Sequence, residues 1–198
     1  MDRRPFGRTG LSVSALGFGS WPMSGKERYG SIEDDEAIRA IHRAIDLGVN
    51  CVDTAPVYGY GHAEEVVGQA LRGRRDRVIL VTKCGIAWEA EGSPIRRDIS
   101  RANLVREIDL SLQRLRTDVI DVYLIHWPTD SSPFEEAFAA MDDIVKSGKV
   151  RFVGVSNFTV DQMEHCMRVR RIDVVQVGYH LFDHRMEQEV FPYCARHG

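Results

Sequence analysis

The sequence predicts an α/β fold built on a parallel β-sheet that is buried on both faces. Short runs of consecutive apolar residues alternate with amphipathic helical segments, and no linker-like stretch interrupts the series. The turns after these runs lack the complete GxGxxG fingerprint that a doubly wound dinucleotide-binding fold carries after its first strand. Polar and charged residues instead recur where the runs end, as they do in (β/α) barrels. We therefore favour a barrel over an open doubly wound sheet.

The predicted elements are a hairpin followed by six strand–helix units. Gly7 and Gly10 separate short mixed segments between Arg4 and Ser14, which predicts a small N-terminal β-hairpin. Consecutive apolar residues predict strands at 15–18, 49–52, 78–82, 119–125, 150–155 and 174–177. Apolar residues at helical spacing predict helices at 31–48, 63–71, 100–115, 132–148, 159–167 and 185–196.

Capping preferences support four of the helices at their starts. Ser31, Ser100 and Thr159 each stand where an N-cap is needed, and their side chains can accept a hydrogen bond from the first turn. Ser132 and Pro133 form a pair that is favoured where helices begin. With the helix starts placed in this way, the strand ends become the positions where functional side chains can converge.

The chain is shorter than an eight-unit barrel. Such a barrel typically needs about 250 residues, and this chain of 198 residues ends in the sixth predicted helix. We expect a single domain over residues 1–198 that is truncated after six βα units, with strands seven and eight absent. Two unpaired sheet edges would then be available for self-association.

The composition argues against several kinds of partner. The chain has 26 basic and 29 acidic side chains and a net charge of −3, so no nucleic-acid surface is expected. No apolar run is long enough for a membrane span, and the N-terminal segment lacks the apolar core of a signal peptide. The four cysteines match no zinc or thioredoxin-type spacing. We predict reduced thiols, no metal and a cytoplasmic protein.

Polar and charged residues fall at the carboxyl ends of five predicted strands. They are Asp53 with Tyr58 in the loop that follows, Lys83, His126, Ser156 with Asn157, and Gln176. Each alone has an ordinary structural explanation, such as a turn, a helix entry or a packed ring. Because the carboxyl ends of parallel strands meet at one mouth of a barrel, we expect these side chains to converge there.

Five separated motifs resemble the aldo-keto reductase superfamily and occur in its order. They are VDTAPVYG at 52–59, EEVVG at 64–68, Lys83 at its strand end, IHW at 125–127 and GVSNF at 154–158. KSGKVR at 146–151 and PYCARHG at 192–198 also fit, so the resemblance covers essentially the whole chain. It implies a (β/α)8 TIM barrel of the aldo-keto reductase type. It also implies reversible, NADPH-dependent hydride transfer to the carbonyl of an aldehyde or ketone.

The resemblance assigns roles residue by residue. Tyr58 would donate the proton to the carbonyl oxygen, and His126 would orient the carbonyl. Lys83 and Asp53 would tune the proton donor. The cofactor, NADPH or NADP+, would contact Gly19, Ser20, Trp21, Asp53, Ser156, Asn157 and Gln176, of which the last three would hold the nicotinamide carboxamide.

The chemistry of carbonyl reduction supports these roles. Hydride arriving at a carbonyl carbon places negative charge on the oxygen, which needs a proton or preorganised donors. A free tyrosine has a pKa near 10, and a nearby cation lowers that value. Lys83 can supply the cation, and Asp53 can hold Lys83 charged and in place. We therefore expect the pKa of Tyr58 to lie below its ordinary value.

Three tryptophans follow strands at the same end of the sheet and are predicted to wall an apolar substrate pocket. They are Trp21, Trp88 and Trp127. In the family, the loops after strands seven and eight bind the cofactor's pyrophosphate and 2′-phosphate. Since those strands are absent here, we expect this chain alone to bind the cofactor weakly and to turn over little.

Two other functions remain open at this stage. One is a non-enzymatic regulatory or binding subunit, similar to the barrels that serve as potassium-channel β-subunits. The other is an unrelated barrel lyase or isomerase in which Lys83 forms a Schiff base with the substrate. The joint presence of Asp53, Tyr58 and His126 argues against the Schiff-base enzyme. An exposed apolar patch and a dedicated membrane partner would favour the regulatory subunit, and the sequence shows neither clearly.

Overall fold

Parallel strands form the central sheet of the computed structural model, which describes residues 1–24 and 32–198. The strands in chain order are β1 (Arg3–Pro5), β2 (Ser12–Ser14), β3 (Phe18–Gly19), β4 (Cys51–Asp53), β5 (Ile79–Cys84), β6 (Ile86–Ala87), β7 (Arg96–Arg97), β8 (Ile120–Ile125), β9 (Val150–Ser156) and β10 (Val174–Gln176). The α-helices are α1 (Asp34–Asp46), α2 (His62–Ala70), α3 (Arg101–Leu115), α4 (Phe134–Lys146), α5 (Val160–Met167) and α6 (Val190–His197). Short 3-10 turns cover Trp21–Ser24, Arg75–Arg77 and Arg185–Glu187.

The order of strands in the central sheet identifies the architecture. The sheet runs β10-β9-β8-β5-β4-β3, with every pairing parallel. Within this sheet the strands lie side by side in chain order, and β6 and β7 form a separate pair between β5 and β8. A doubly wound sheet reverses its strand order at a switch point, whereas a barrel does not. The predicted choice of a (β/α) barrel segment with six βα units is confirmed.

The predicted N-terminal hairpin is confirmed as well. Strands β1 and β2 pair antiparallel, with Arg4 opposite Val13. Phe6, Leu11 and Val13 pack against a small inner cluster formed by the sheet residues Ile79, Val81, Val122, Leu124 and Val174. The hairpin therefore contributes apolar side chains to the inner face of the sheet.

The opposite face of the sheet packs against the helices. Leu80, Tyr123 and Val153 point to this side and are fully buried. They join a large core with helix residues such as Ile41, Val66, Leu104, Ile108, Phe138 and Met141. Full burial of one such aliphatic or aromatic side chain stabilises the fold by roughly 1.5–3 kcal/mol.

Strand alternation carries the candidate site residues to the inner face. Successive side chains of a strand point to opposite faces, so residues two apart share a face. In β5 the inner cluster contains Ile79 and Val81, and Lys83 is the next residue in that series. In β8 it contains Val122 and Leu124, and the series continues at His126. The pattern that buries the inner apolar residues therefore also aims these polar residues into the mouth.

Two of the predicted N-caps are confirmed and one is replaced. Ser100 accepts a hydrogen bond from the Asn103 backbone, and Thr159 forms a reciprocal capping box with Gln162. Helix α4 begins after Pro133, which occupies the N-cap position and offers no side-chain acceptor. The predicted cap Ser31 lies outside the described residues, and α1 begins at Asp34 with Glu33 in the N-cap position.

Other predicted boundaries change in the structure. The predicted helix at 185–196 is two elements, a 3-10 turn at Arg185–Glu187 and α6. The first strand of the sheet is limited to Phe18–Gly19 instead of 15–18, because residues 15 and 16 form a bend after β2. The antiparallel pair β6–β7 was not predicted, since its strands are only two residues long and carry no alternating pattern.

Membrane, metal and disulfide features can be stated for the part of the chain that the structure describes. None of its helices combines the length and the apolar character needed to cross a membrane. Within the same residues, no group of three or more histidine, cysteine, aspartate or glutamate side chains could hold a metal ion. All four cysteines are free thiols.

Candidate active site

The predicted site residues lie together at the carboxyl ends of the parallel strands. Asp53, Ser156 and Gln176 are the last residues of β4, β9 and β10. Lys83 is the last residue but one of β5, and His126 directly follows β8. The structure therefore confirms the predicted convergence of these strand ends.

Lys83 is the most deeply buried charged residue of this group. Its Nζ donates hydrogen bonds of 2.8 Å to both carboxylate oxygens of Asp53 and of 2.9 Å to the Thr54 carbonyl. A buried ammonium is costly unless it is paired and hydrogen-bonded, and these three acceptors satisfy it. Burial lowers the pKa of Lys83, and the charge and hydrogen bonds of Asp53 oppose that effect. Asp53 therefore both positions Lys83 and favours its charged form.

Tyr58 lies directly beside this ion pair. Lys83 Nζ is 3.4 Å from the Tyr58 hydroxyl and 5.2 Å from the centre of its ring. The ring also lies against two aromatic neighbours, stacked on Trp21 at 6.3 Å and edge-on to His126 at 5.8 Å. The phenol is thus held between a cation and an imidazole, within the loop that the sequence assigned to it.

The tight loop between β4 and α2 sets the position of the Tyr58 ring. The Tyr58 backbone N–H donates to the Ala55 carbonyl, and the next residue, Gly59, has a φ of +64°. A side chain at Gly59 would strain this left-handed backbone, and its Cβ would approach the Ser24 carbonyl oxygen to 3.2 Å. The glycine that follows the proton-donor candidate in the sequence motif therefore has a local structural reason.

The expectation of a lowered Tyr58 pKa is wrong. Burial raises the pKa of Tyr58 above its ordinary value, and the negative charge of Asp53 raises it further. Asp53 receives two hydrogen bonds from Lys83, so the carboxylate offsets the ammonium that was expected to stabilise a tyrosinate. Tyr58 therefore stays protonated in the resting site.

His126 is a neutral hydrogen-bonding group at ordinary pH. Burial lowers its pKa to about 3, and the charges of Lys83 and Arg97 add to this effect. Trp127 stacks on the imidazole with the ring centres 6.3 Å apart. A neutral imidazole carries one N–H donor, so His126 can donate a hydrogen bond to a carbonyl oxygen without bringing a net charge.

The cofactor-binding candidates at strands β9 and β10 form one hydrogen-bonded group. Asn157, with a left-handed φ of +63°, donates from its side chain to the Ser156 hydroxyl at 2.9 Å and to the His126 carbonyl at 3.1 Å. Its backbone N–H donates to the Gln176 carbonyl at 3.1 Å. The Gln176 amide in turn donates to Asp53 at 3.3 Å. This chain of contacts joins the cofactor candidates to the ion pair.

The other cofactor candidates lie on the opposite side of Asp53. Gly19 is the last residue of β3 and pairs with Asp53 in the parallel ladder. The Ser20 backbone N–H donates to the Asp53 carbonyl at 2.9 Å, and the Ser20 side chain is buried. Trp21 opens the 3-10 turn that follows. Asp53 is therefore flanked on both sides by the residues predicted to lie along a cofactor.

A cavity of about 640 Å³ opens in front of Tyr58 and His126. Trp21 and Trp127 stand on its rim and remain 44% and 38% exposed. Trp88, the third predicted wall residue, is not brought into this cavity. Its ring packs edge-on against Tyr60 at 5.8 Å and lines a neighbouring hollow of about 240 Å³. The structure thus supports two tryptophans as pocket walls and separates the third.

Two features of the site were missed by sequence reasoning. Residues 92–95, at the tip of the β6–β7 hairpin, form part of the cavity wall, and no sequence pattern predicted that hairpin. Glu107 is buried in α3, and its carboxylate accepts a 2.6 Å hydrogen bond from the backbone N–H of Gly85, two residues after Lys83. The sequence did contain a hint of this buried carboxylate. Glu107 lies three residues after Leu104, on the helix face that is otherwise apolar.

Glu107 has an unusual electrostatic environment. Burial raises its pKa to about 8, although backbone hydrogen bonds from Gly85 and Ile86 oppose the shift. Its second oxygen, Oε1, is buried and has no hydrogen-bond partner among the residues that the structure describes. A protonated carboxyl fits such a place better than a carboxylate does.

Comparison with known proteins gives a consistent result. The model of the Aldo/keto reductase family matches residues 15–198. The aldo-keto reductase YhdN of Bacillus subtilis is 39% identical over 98% of this chain, which spans 58% of that relative. The NADH-specific methylglyoxal reductase of Escherichia coli is 34% identical over the whole chain, which spans 65% of its length. A rice protein named "Probable voltage-gated potassium channel subunit beta" is also 34% identical, with 61% of its length covered.

Solved structures agree with these relatives. Aldo-keto reductase AKR11C1 from Bacillus halodurans, in its holo form, superposes with a TM-score of 0.89 at 32% identity, and the match covers all of this chain and 63% of that one. An aldo/keto reductase from Klebsiella pneumoniae in complex with NADP and acetate has a TM-score of 0.78 at 35% identity, over 95% of this chain and 62% of its own. This chain spans about three fifths of the length of each of these relatives. It belongs to the aldo/keto reductase family.

Proposed function

We propose that this chain carries the carbonyl-reducing site of an NADPH-dependent oxidoreductase, in which Tyr58 donates the proton. The observation that carries the proposal is the position of the Tyr58 hydroxyl, 3.4 Å from Lys83 Nζ at the floor of the cavity. A proton donor beside a paired cation, facing a cavity with apolar walls, suits the reduction of an aldehyde or ketone to an alcohol.

A nicotinamide cofactor would supply the hydride. The donors and acceptors around Asn157 fit a primary carboxamide, which has one carbonyl acceptor and one NH2 donor. The Ser156 hydroxyl accepts from Asn157 and keeps its own proton to donate, while the side-chain oxygens of Asn157 and Gln176 can accept. These residues can therefore hold a nicotinamide ring beside the cavity that contains Tyr58.

Tyr58 would transfer its proton to the substrate oxygen as negative charge develops there. Tyr58 is protonated in the resting site because burial raises its pKa. A carbonyl oxygen that gains an electron pair becomes more basic than a tyrosinate, so proton transfer from Tyr58 remains favourable. His126 donates a hydrogen bond to the same oxygen and stays neutral, because its pKa is about 3. Together they place two donors on one oxygen.

Lys83 and Asp53 act on the tyrosinate that is left behind. Once Tyr58 has given up its proton, Lys83 Nζ lies 3.4 Å from a negative phenolate oxygen. Asp53 holds Lys83 through both carboxylate oxygens and prevents it from turning away. The pair therefore stabilises the site after proton donation more than before it, which is the requirement for a contribution to rate.

The cavity is large enough to admit an aromatic aldehyde as well as smaller carbonyl compounds. A volume of about 640 Å³ lies within the range of small-molecule sites, and its rim is formed by Trp21 and Trp127. Related proteins with this fold carry names that refer to methylglyoxal, a small dicarbonyl. We therefore include small aldehydes and ketones among the proposed substrates.

The test is reduction of an aromatic aldehyde under single-turnover conditions, with the chain in excess and either NADPH or NADH present. Tyr58→Phe should slow the reduction by at least about 100-fold, because it removes the proton donor while keeping the ring. Tyr179→Phe is the matched control, since that tyrosine is exposed and bonded to Glu187 outside the cavity. Equal rates for Tyr58→Phe and the unaltered chain would contradict the role of Tyr58 as the proton donor. A faster reaction with NADH than with NADPH would show that NADH is the preferred cofactor.

A second candidate function is a regulatory subunit that binds the cofactor without turnover. The similarity to a protein named as a potassium-channel subunit β supports it. Cofactor binding, seen as a change in nicotinamide fluorescence, without aldehyde reduction would favour this candidate.

The Schiff-base alternative has no support here, because the Lys83 ammonium is held by three acceptors within 2.9 Å. Self-association through the edge strands β3 and β10 stays a prediction.

A further inference from the structure

The β6–β7 hairpin stands in front of the cavity and is attached to both sides of its mouth. The two strands pair through Ile86 with Arg97 and Ala87 with Arg96. On the side of His126, the Arg97 guanidinium lies 5.0 Å from the centre of the Trp127 ring and donates to the Pro128 carbonyl at 3.2 Å. This contact anchors the base of the hairpin.

The tip of the hairpin is attached on the side of Tyr58 by a different residue. The Tyr60 hydroxyl donates a 3.1 Å hydrogen bond to the carbonyl of Ser93, at the tip. The Tyr60 ring also meets the edge of Trp88, which begins the tip segment. Apart from half-buried Trp88 and Ser93, the residues from 88 to 97 are exposed. The tip is thus held to the barrel mouth where Tyr60 reaches it.

Tyr60 has a backbone conformation that needs a reason. Its φ of +54° is in the left-handed region, between Gly59 and Gly61, which also have positive φ values. A bulky residue rarely adopts this conformation, and it persists where surrounding contacts determine it. Here the left-handed turn aims Tyr60 at the hairpin tip, two residues after Tyr58 aims at Lys83.

We propose that Tyr60 is a specificity-determining residue, which latches the hairpin tip over the cavity and so sets the width available to the substrate. The inference rests on the proposed function in one respect, that this cavity is the substrate site. Tyr60, Ser93, Pro94 and Ile95 all line the cavity. An aromatic or bulky carbonyl compound would touch this wall, whereas a three-carbon aldehyde held at Tyr58 would not reach it.

The first experiment measures the latch without cofactor or substrate. Tyr60→Phe keeps the ring and its contact with Trp88 but removes the hydrogen bond to Ser93. Amide hydrogen exchange should become faster in peptides that cover residues 88–95, where Ser93 and Ala90 hydrogen-bond to each other within the tip. Exchange at Asp98, whose N–H donates to the Gly85 carbonyl at the base, should not change. Tyr179→Phe should leave both regions unchanged.

The second experiment measures selection by size. Dissociation constants for 4-nitrobenzaldehyde and for propanal are determined by ligand-detected NMR titration of the cofactor-free chain. Tyr60→Phe should weaken binding of 4-nitrobenzaldehyde by about fivefold, the effect typical of losing one hydrogen bond that orders a wall. Binding of propanal should change by less than about twofold, because that ligand does not touch the hairpin.

The outcomes separate this inference from the proposed function. Unchanged exchange at residues 88–95 would overturn the latch. Equal effects on the two aldehydes, or no binding of 4-nitrobenzaldehyde by the unaltered chain, would overturn the role in specificity. Faster exchange and selective loss of the aromatic ligand would support the inference even in a chain that reduces neither aldehyde. Such a chain would instead contradict the proposed function.

Discussion

Two buried ion pairs lie on opposite faces of β5, and they differ in how far their charged groups are exposed. Lys83 points to the inner face and pairs with Asp53. Its neighbour Thr82 points to the helices, where its hydroxyl donates a 2.6 Å hydrogen bond to Glu64. Glu64 is completely buried and accepts a second bond of 2.7 Å from Arg114. Neighbouring residues of one strand thus serve two separate ionic groups.

The carboxylate of the outer pair is completely buried, whereas the carboxylate of the inner pair is partly exposed. Each carboxylate oxygen of Glu64 has its own donor, and the backbone of Arg114 and Leu115 is so close to Gly68 that a Cβ there would lie 2.6 Å from the Arg114 carbonyl oxygen. The Asp53 side chain is 23% exposed, and Lys83 reaches Tyr58 at the cavity floor. Burial of charge is common to both pairs, so access to the cavity is the feature that makes the inner pair the candidate for function.

The largest expected effect comes from breaking the inner pair. Lys83→Met should slow single-turnover aldehyde reduction by about 100- to 1,000-fold, because the tyrosinate formed at Tyr58 loses its cation. The free energy of unfolding should change by less than about 2 kcal/mol, since solvent in the cavity can hydrate Asp53. Rates are measured by loss of reduced-nicotinamide absorbance, and stability by urea unfolding. A rate within tenfold of the unaltered chain would contradict the proposed role of Lys83.

Breaking the outer pair should have the opposite result. Arg114→Met leaves Glu64 buried with one oxygen unpaired, and we expect a loss of about 3 kcal/mol in the free energy of unfolding. The rate of the folded fraction should be nearly unchanged, because Arg114 does not face the cavity. Arg101→Met is the control, since its ion pair with Asp143 is about half exposed on both sides and should contribute less than about 1 kcal/mol. A large loss of the aldehyde-reduction rate in fully folded Arg114→Met would contradict this prediction and show that the two faces of β5 are coupled.

A smaller effect, seen as a pH dependence, is expected at Glu107. Burial raises its pKa from 4.5 to about 8, so the folded state keeps a proton that the unfolded state releases. Stability from this group is complete below about pH 4.5 and is lost as the pH rises towards 8, with a slope of at most about 1.4 kcal/mol per pH unit. Glu107→Gln should flatten that slope in urea unfolding measured across this pH window, while the exposed Glu65→Gln should not. If the pH dependence of the free energy of unfolding is unchanged in Glu107→Gln, another group must be responsible for it.

Much of the fold followed from local patterns in the sequence. Consecutive apolar residues located all six strands of the sheet, and Ser100 and Thr159 marked two helix starts correctly. The β6–β7 hairpin was missed because its strands are too short to carry a periodic signal. The division of the last predicted helix was missed for a similar reason, since its spacing continues across the break before Val190.

The convergence of the polar candidate residues followed from the sequence, but their electrostatics did not. Asp53, Lys83 and His126 were found because each follows an apolar run, and a barrel gathers such positions. The direction of the Tyr58 pKa shift was wrong, because it depends on how deeply the phenol is buried and on the charge that Asp53 adds beside it. The separation of Trp88 from the cavity likewise depends on the way its hairpin turns, towards Tyr60.

The sequence by itself determined which side chains share a face of the sheet and reach its mouth. Strand alternation and a parallel βα order leave little freedom in that arrangement, since one shifted residue would turn every apolar side chain of a strand away from its core. Only the tertiary structure decided how the neighbours of each group balance. Asp53 acts to raise the pKa of both Lys83 and Tyr58, which favours the charged form of the lysine and the neutral form of the tyrosine. Electrostatic balance depends on distances and burial between segments far apart in the chain, and local sequence patterns do not carry those quantities.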